Sequence, residues 1–169
     1  MAENKFEIRY MQTQDLEHVM RIQALCYSGD IPETQTSLSA KLSASPTSCF
    51  VAIVDEIPQA YLFSLPWRMQ APPNLNAQEC VLPSSPDGLY LHDLSVAPHV
   101  REHGVGRALV QAFFQTMQEF KFTTACLVAV QNSGNYWRRY GFQTIPLHPQ
   151  LQEKLASYGE SAEFLVWEK

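Results

Sequence analysis

Residues 89–110, LYLHDLSVAPHVREHGVGRALV, decide how the chain is read. The segment passes from a strand through Arg101-Glu102-His103-Gly104-Val105-Gly106 into the start of a helix. Glycines that tolerate left-handed backbone leave several N–H groups at such a junction unpaired and pointing one way, backed by the positive end of the helix dipole. The junction is therefore suited to hold a phosphate.

On the C-terminal side, Leu109, Ala112, Phe113, Thr116, Met117 and Phe120 recur at helical spacing and predict an amphipathic helix over 107–120. The unbroken apolar run 124–130 predicts a strand deep in a sheet, and 132–140 predicts a short helix stopped by Gly141 before Phe142. A last strand is expected at 164–167, after a mixed stretch at 150–159 that suits a short helix.

On the N-terminal side, 6–10 alternates as a strand does. Leu16, Val19, Met20 and Cys26 then mark a helix reaching about Tyr27, broken at 28–32. A second helix over 33–44, with Leu38 and Leu42 on one face, reads as a plain surface helix or as the border of a substrate site. The apolar runs 49–54 and 60–65 read as a hairpin. The proline-rich stretch 66–88 reads as a long loop, either a functional lid or a surface loop, with Trp67, Arg68 and Met69 as candidate substrate-facing groups. Strands alternate with helices but include hairpins, so the class is mixed α/β or α+β. No repeat or linker divides the chain, and one domain over 1–169 is expected.

The net charge of −5 and the absence of a Lys/Arg run argue against nucleic acid or anionic membrane as main partner. No apolar run approaches the roughly 18 to 20 residues of a membrane span, and the polar N-terminus lacks a signal-peptide core. A soluble cytoplasmic protein is expected. Cys26, Cys49, Cys80 and Cys126 have no metal-ligand spacing and read as reduced, part-buried thiols, so no metal is expected.

The loop is not a Walker loop, because Gly106 is followed by Arg107-Ala108 instead of Lys-Ser/Thr. It is not a dinucleotide fingerprint either, since Leu109 stands at the third glycine position. The pattern R-x-x-G-x-G between strand and helix, the Asn132 that follows an apolar strand, and Tyr136-Trp137-Arg138-Arg139-Tyr140-Gly141-Phe142 together resemble the GCN5-related N-acetyltransferase (GNAT) family over nearly the whole chain. The resemblance implies a mixed, mostly antiparallel central sheet flanked by helices, with acetyl-CoA in a split between the fourth and fifth strands. It implies that backbone groups of the Leu94-Ser95-Val96 strand end, Leu94 and Val96 in particular, bond the pantetheine arm. Backbone N–H groups from Glu102 through His103, Gly104, Val105 and Gly106 to Arg107 would hold the pyrophosphate, with Arg101 and His103 in contact with phosphate and Asn132 near the pantetheine. The acceptor it implies is a primary amine on a small molecule or peptide, and a homodimer is an expectation at family level.

Acetyl transfer to an amine needs a group to take the ammonium proton. His92 is the candidate base: by alternation it shares a strand face with Tyr90 and Leu94, and imidazole titrates near neutral pH. The strand also resembles that of family members in which a histidine at the matching position lies in the proton path. Tyr90 occupies a position where many members carry glutamate, and with His92 it marks the acceptor side. Asp93 is expected on the opposite face unless a bulge changes the register. Where the family commonly has a tyrosine as acid, this chain has Trp137, whose indole cannot usefully supply a proton. Trp137 is expected to pack beside the thioester and dry it, leaving the acid role to Tyr136, Tyr140, a water or the substrate's own proton. The rival reading is a non-catalytic acyl-CoA-binding module that keeps the loop without the chemistry.

Overall fold

The computed structural model describes residues 5–27, 32–69 and 71–169. The expected break at 28–32 falls mostly outside them, with only Pro32 described. The elements in chain order are β1 (Phe6–Tyr10), α1 (Leu16–Cys26), α2 (Gln35–Ala44), β2 (Cys49–Val54), β3 (Ile57–Trp67), β4 (Gly88–Val96), α3 (Val105–Glu119), β5 (Thr124–Ala129), α4 (Gly134–Arg138), β6 (Gln143–Thr144), α5 (Pro149–Ala156) and β7 (Glu163–Glu168). Among the described residues the strands form one seven-stranded sheet in the order β1-β2-β3-β4-β5-β7-β6. Its one parallel pair is β4 with β5; the other neighbours run antiparallel.

Helix α3 covers one face. Its Val105, Leu109, Val110, Phe113 and Met117 are buried against Leu89 and Leu91 of β4 and Ala125, Leu127 and Ala129 of β5. This apolar stripe fixes the helix on the sheet, so its N-terminus stays aimed where β4 ends. The other face carries two separate apolar patches. Leu16, Val19 and Ile22 of α1 and Leu38 and Leu42 of α2 pack on Tyr61 and Phe63 of β3. Leu151 and Leu155 of α5 pack instead on Tyr90, Cys126, Phe164 and Val166.

Helix α2 is no plain surface helix. Ser37 and Lys41 are buried beside Leu38 and Leu42, and their polar ends meet the carboxylate of Glu33, two residues before the helix. Lys41 Nζ lies 3.0 Å and Ser37 Oγ 2.8 Å from Glu33 Oε2. Gln23 of α1 clamps the Glu33 backbone on both sides, accepting from its N–H at 2.9 Å and donating to its C=O at 2.8 Å.

The loop after β3 is shorter than expected, because Pro66 and Trp67 continue the strand opposite Leu89 and Gly88. It is tied down within its span at Pro73 and Asn76. Asn76 accepts from the Thr34 N–H at 2.9 Å and donates its own N–H to Glu33 Oε2 at 3.2 Å, and the Pro73 carbonyl accepts from the Tyr158 hydroxyl at 2.5 Å. The loop thus bridges the two patches of that face. Trp67 and Met69 pack on the α5 patch and Arg68 donates to the Ser85 carbonyl at 2.9 Å, so the trio serves the loop's own anchoring. The two-residue β6 adds an edge strand that sequence periodicity does not reveal. No disulfide joins the described cysteines; Cys49 and Cys126 are buried, Cys26 and Cys80 half-buried. Among the described residues no helix is long and apolar enough to cross a membrane.

Burial opposes ionisation of Glu33, but His92, Lys41 and the Ser37 hydroxyl outweigh it and hold the carboxyl down at about 2. An unfolded glutamate titrates near 4.3, so folding favours the ionised form. The resulting stability is complete above about pH 4.3 and is lost as pH falls toward the folded value, a loss on the order of 3 kcal/mol. Urea titrations from pH 6 to pH 2.5 should show this acid limb shrinking in Glu33→Gln; an identical pH dependence in both proteins would contradict the ion-pair account.

Candidate functional site

The β4 strand makes the site by ceasing to behave regularly at one residue. Phe63 lies opposite Asp93 and Ser64 opposite Leu91, so His92 is an extra residue, a β-bulge against β3. The parallel pairing of β4 with β5 runs only over Leu89, Tyr90 and Leu91 and stops at the same place. Beyond it the two strands separate. Ala97 donates its N–H to the Gln59 carbonyl of β3 at 2.9 Å. By alternation Ser95 and Asp93 also turn their backbone groups toward β3, while Leu94 and Val96 turn theirs toward the gap.

The bulge also decides which side chains share a face. Leu89 and Leu91 point to the α3 side, Tyr90 to the other. His92 follows Tyr90, with ring centroids 5.9 Å apart, and the inserted residue puts Asp93 on the same side, where it accepts from Tyr27 at 2.6 Å and Tyr61 at 2.7 Å. Leu94 packs on the α3 side. The alternation that grouped His92 with Leu94 and set Asp93 opposite is thus reversed by one inserted residue.

A cleft of ≈ 630 Å³ runs along the gap from the α3 N-terminus to His92. Leu94, Ser95, Val96, Arg101, Gly104, Gly106 and Arg107 line one end, with Tyr136, Trp137 and Tyr140 along the wall. Gln23, Tyr27, Glu33, Leu75, His92, Asp93 and Tyr158 line the other. At the first end, residues 98–103 form a 3₁₀ turn and Gly104 takes φ +80, the left-handed cap of α3. A Cβ on Gly104 would meet no atom within 4 Å, so this backbone faces open space. The first intrahelical bond runs from Ala108 N–H to the Gly104 carbonyl at 3.1 Å, which leaves the N–H groups of Val105, Gly106 and Arg107 without helical partners. Gly106 is close-packed for another reason, since a Cβ there would come within 3.2 Å of the Tyr136 hydroxyl.

Several expected residues stand elsewhere. Tyr90 is 1% exposed in the α5 patch and does not line the cleft, because a ring on that face is covered by Leu151 and Leu155. The side chains of Glu102, His103 and Val105 do not line it either: Glu102 points to solvent and Val105 is sealed in the α3 core, so these positions can offer backbone only. His103 is half-buried with an unpartnered Nδ1. Asn132 is exposed in a left-handed turn, φ 61, and its neighbours Gln131 and Ser133 line the cleft in its place.

The aromatic wall is compact. Trp137 is 7% exposed, with ring centroids 5.0 Å from Tyr136 and 5.8 Å from Phe142. Gly141, at φ +98, ends this turn, and Phe142 N–H returns to the Trp137 carbonyl at 3.4 Å. The Tyr136 and Tyr140 hydroxyls stand 3.4 Å apart. Burial and this hydrogen bond raise the Tyr136 phenol, which stays protonated at neutral pH and able to donate.

At the far end two carboxyl groups lie beneath the bulge. Burial pushes Asp93 up, opposed by the hydroxyls of Tyr27 and Tyr61 and by His92. Glu33 bonds His92 Nε2 through Oε1. The His92 side chain is 1% exposed, and its Nδ1 has no hydrogen-bond partner. Glu33, Tyr27, Leu75 and Tyr158 escaped sequence reasoning: they come from four separate segments, none with a local motif. Among the described residues no group of three or more His, Cys, Asp or Glu side chains could hold a metal ion.

Comparison with known proteins accords with this geometry. Among proteins of curated function none matches the sequence. Solved structures share the fold: Ard1 from Thermoplasma volcanium has a TM-score of 0.73 at 19% identity, covering 96% of this chain and 97% of that one. The PaiA N-acetyltransferase from Thermoplasma acidophilum, in complex with coenzyme A, has a TM-score of 0.68 at 12% identity, covering 98% and 99%. The GphF GNAT-like decarboxylase, in complex with isobutyryl-CoA, has a TM-score of 0.74 at 14% identity, covering 96% and 98%. At these identities the likeness is one of fold. A profile of the Acetyltransferase (GNAT) family matches residues 16–142, a span that takes in the bulged strand, the glycine loop before α3, the parallel partner strand and the aromatic helix. On that match the chain belongs to the Acetyltransferase (GNAT) family and is an acyltransferase.

Proposed function

We propose that the chain transfers an acetyl group from acetyl-CoA to a primary amine of a small molecule or peptide, by direct attack with both substrates in the cleft, as one domain over residues 1–169. The observation that carries this reading is the continuity of the cleft, from free N–H groups at the α3 N-terminus to a buried histidine with an unpartnered ring nitrogen. The residues present fit acetyl-CoA. The gap offers the edge of Leu94 and Val96, which faces no neighbouring strand, to a peptide-like pantetheine, although the Val96 carbonyl already accepts from Arg101 Nε at 3.1 Å. Gly104, Gly106 and Arg107 offer backbone to a pyrophosphate at a helix N-terminus, with Arg101 alongside.

His92 takes one proton from the acceptor ammonium, directly or through one water, which frees the nitrogen lone pair. The neutral nitrogen then bonds the acyl carbon, the carbon–sulfur bond breaks, and the second nitrogen proton ends on the departing sulfur. Amide and free thiol result, and His92 returns its proton to solvent. Tyr136 or Tyr140 donates a hydrogen bond to the sulfur, while Trp137 keeps water from that wall. Direct attack is favoured over an acyl-cysteine because the cleft's one cysteine among the described residues, Cys26, sits at the wrong end. Its Sγ lies 3.4 Å from the Val96 carbonyl, four residues beyond His92, or about 13 Å along an extended strand.

Release of free thiol from acetyl-CoA across a panel of amines, peptide N-termini and amino sugars tests the reading. Turnover with at least one acceptor class is expected; coenzyme A binding with no turnover above hydrolysis would favour the non-catalytic module. With an acceptor in hand, His92→Gln should lower kcat/KM by about 10²-fold or more, and an unchanged pH–rate profile rejects the base role. Gly104→Val puts a branched residue at φ +80, where an L-residue costs about 1–2 kcal/mol. Its Cβ also fills the open space before the helix, so coenzyme A affinity in calorimetry should fall by about 10-fold or more. Unaltered affinity with an intact fold counts against the loop as phosphate site.

A further inference from the structure

Glu33 is 59 residues from His92 in sequence, yet the bond between them organises the acceptor end. Its side chain is 4% exposed, and four segments converge on it. Gln23 of α1 holds its backbone, Ser37 and Lys41 of α2 and the Asn76 N–H of the loop bond Oε2, and His92 of β4 meets Oε1. So many contacts on one carboxylate fix both its position and its charge.

The charge has a consequence for the ring. An ionised carboxylate can only accept hydrogen bonds. His92 Nε2 must therefore be the donor, and in the neutral imidazole the lone pair sits on Nδ1. That nitrogen is buried and has no hydrogen-bond partner among the described residues. Buried polar atoms are almost always paired, and one left over in a cleft-lining residue marks where a substrate or water proton belongs.

We infer that Glu33 is a positioning residue: it fixes the His92 tautomer so that Nδ1, and not Nε2, receives the proton from the acceptor amine. This rests on the reading of His92 as base given above. The other charged or titratable groups around the ring are Lys41 behind Glu33, Tyr90 and Asp93 on β4, Tyr27 after α1, Tyr61 on β3 and Tyr158 after α5. Asp93 is taken by the two tyrosine hydroxyls and Lys41 by Glu33 and Ser37. Glu33 alone among the described residues hydrogen-bonds the imidazole. Lys41, in turn, keeps the carboxylate from being an uncompensated buried charge.

Nitrogen NMR of the His92 ring in the wild-type protein tests the inference without any variant. Above the pH at which the ring is protonated, Nε2 should carry the hydrogen and Nδ1 should be bare; the opposite tautomer overturns the proposal. In Glu33→Gln the amide can donate or accept, so the two tautomers should mix. With the ring no longer held in one tautomer and no carboxylate to stabilise the imidazolium that forms, kcat should fall by about 10²-fold or more, with little change in KM for acetyl-CoA. On a His92→Gln background, Glu33→Gln should cost nothing further. If it costs the same with and without the histidine, Glu33 acts on the fold alone and the inference falls. Full turnover in His92→Gln would instead overturn the base reading, while the wild-type tautomer would still report on the Glu33 contact.

Discussion

The single inserted residue at His92 is the constraint on which the working part of the molecule depends. A strand keeps its period of two only while each residue is matched across the ladder, and a bulge lets two residues oppose one while bending the strand. Here the bulge falls where the pairing of β4 to β5 ends. Up to Leu91 the strand is ordinary sheet, buried on both sides. After His92 its Leu94 and Val96 edge lies open, and α3, locked to the sheet by Val105, Leu109 and Phe113, holds its N-terminus at the far end of the same gap. The open edge and the placing of the buried histidine therefore go with one local departure from regularity, and the packing of α3 sets the helix terminus against them.

The same departure crowds two carboxyl groups under one face, and the fold treats them differently. An isolated buried carboxylate costs several kcal/mol, so each needs cations or hydrogen-bond donors around it. Glu33 is compensated by Lys41 and His92 and stays ionised. Asp93 meets no cation at bonding distance among the described residues, only the hydroxyls of Tyr27, Tyr61 and Ser95, and burial pushes its carboxyl up. Two acids on adjacent elements thereby acquire distinct tasks: one holds a ring by charge, the other ties α1 to β3 and β4 through neutral donors.

Much of this architecture is legible in the sequence because it is encoded locally. The α3 stripe, the glycine junction at Gly104, the stop at Gly141 and the deep strand before Gln131 each rest on residues within a few positions of one another. What escaped rests on distance or on counting. The bulge moves Leu94 and Asp93 to the faces opposite those that alternation gives them, and a period-two pattern carries no mark of an inserted residue. Tyr90 looked like a site residue because it precedes His92 by two, but α5, some sixty residues away, covers it. A plain surface helix over 33–44 would leave Ser37 and Lys41 in solvent; their burial follows from the Glu33 carboxylate, which helical spacing alone does not place beneath them. Trp67, Arg68 and Met69 sat at the start of a loop, yet β3 extends into them and the loop's own hydrogen bonds absorb the rest.

These two kinds of encoding divide the cleft in a way that bears on specificity. The end proposed for coenzyme A is built from main chain: a strand edge, a left-handed glycine and the first turn of a helix, all within residues 94–107. On that proposal, such a surface suits groups shared by every coenzyme A thioester, because backbone and glycine, not particular side chains, make the fit. Its acceptor end is built from side chains of α1, the start of α2, the loop after β3, the bulge of β4 and the segment after α5, joined through Glu33, Asn76 and the bond from Tyr158 to Pro73. These segments are tied to one another by hydrogen bonds of 2.5 to 3.2 Å. On the proposed function, discrimination among amines is therefore a property of the joined set and not of a single pocket residue. The His92 ring, bonded to that set through Glu33, is then the point where recognition of the acceptor and removal of its proton meet.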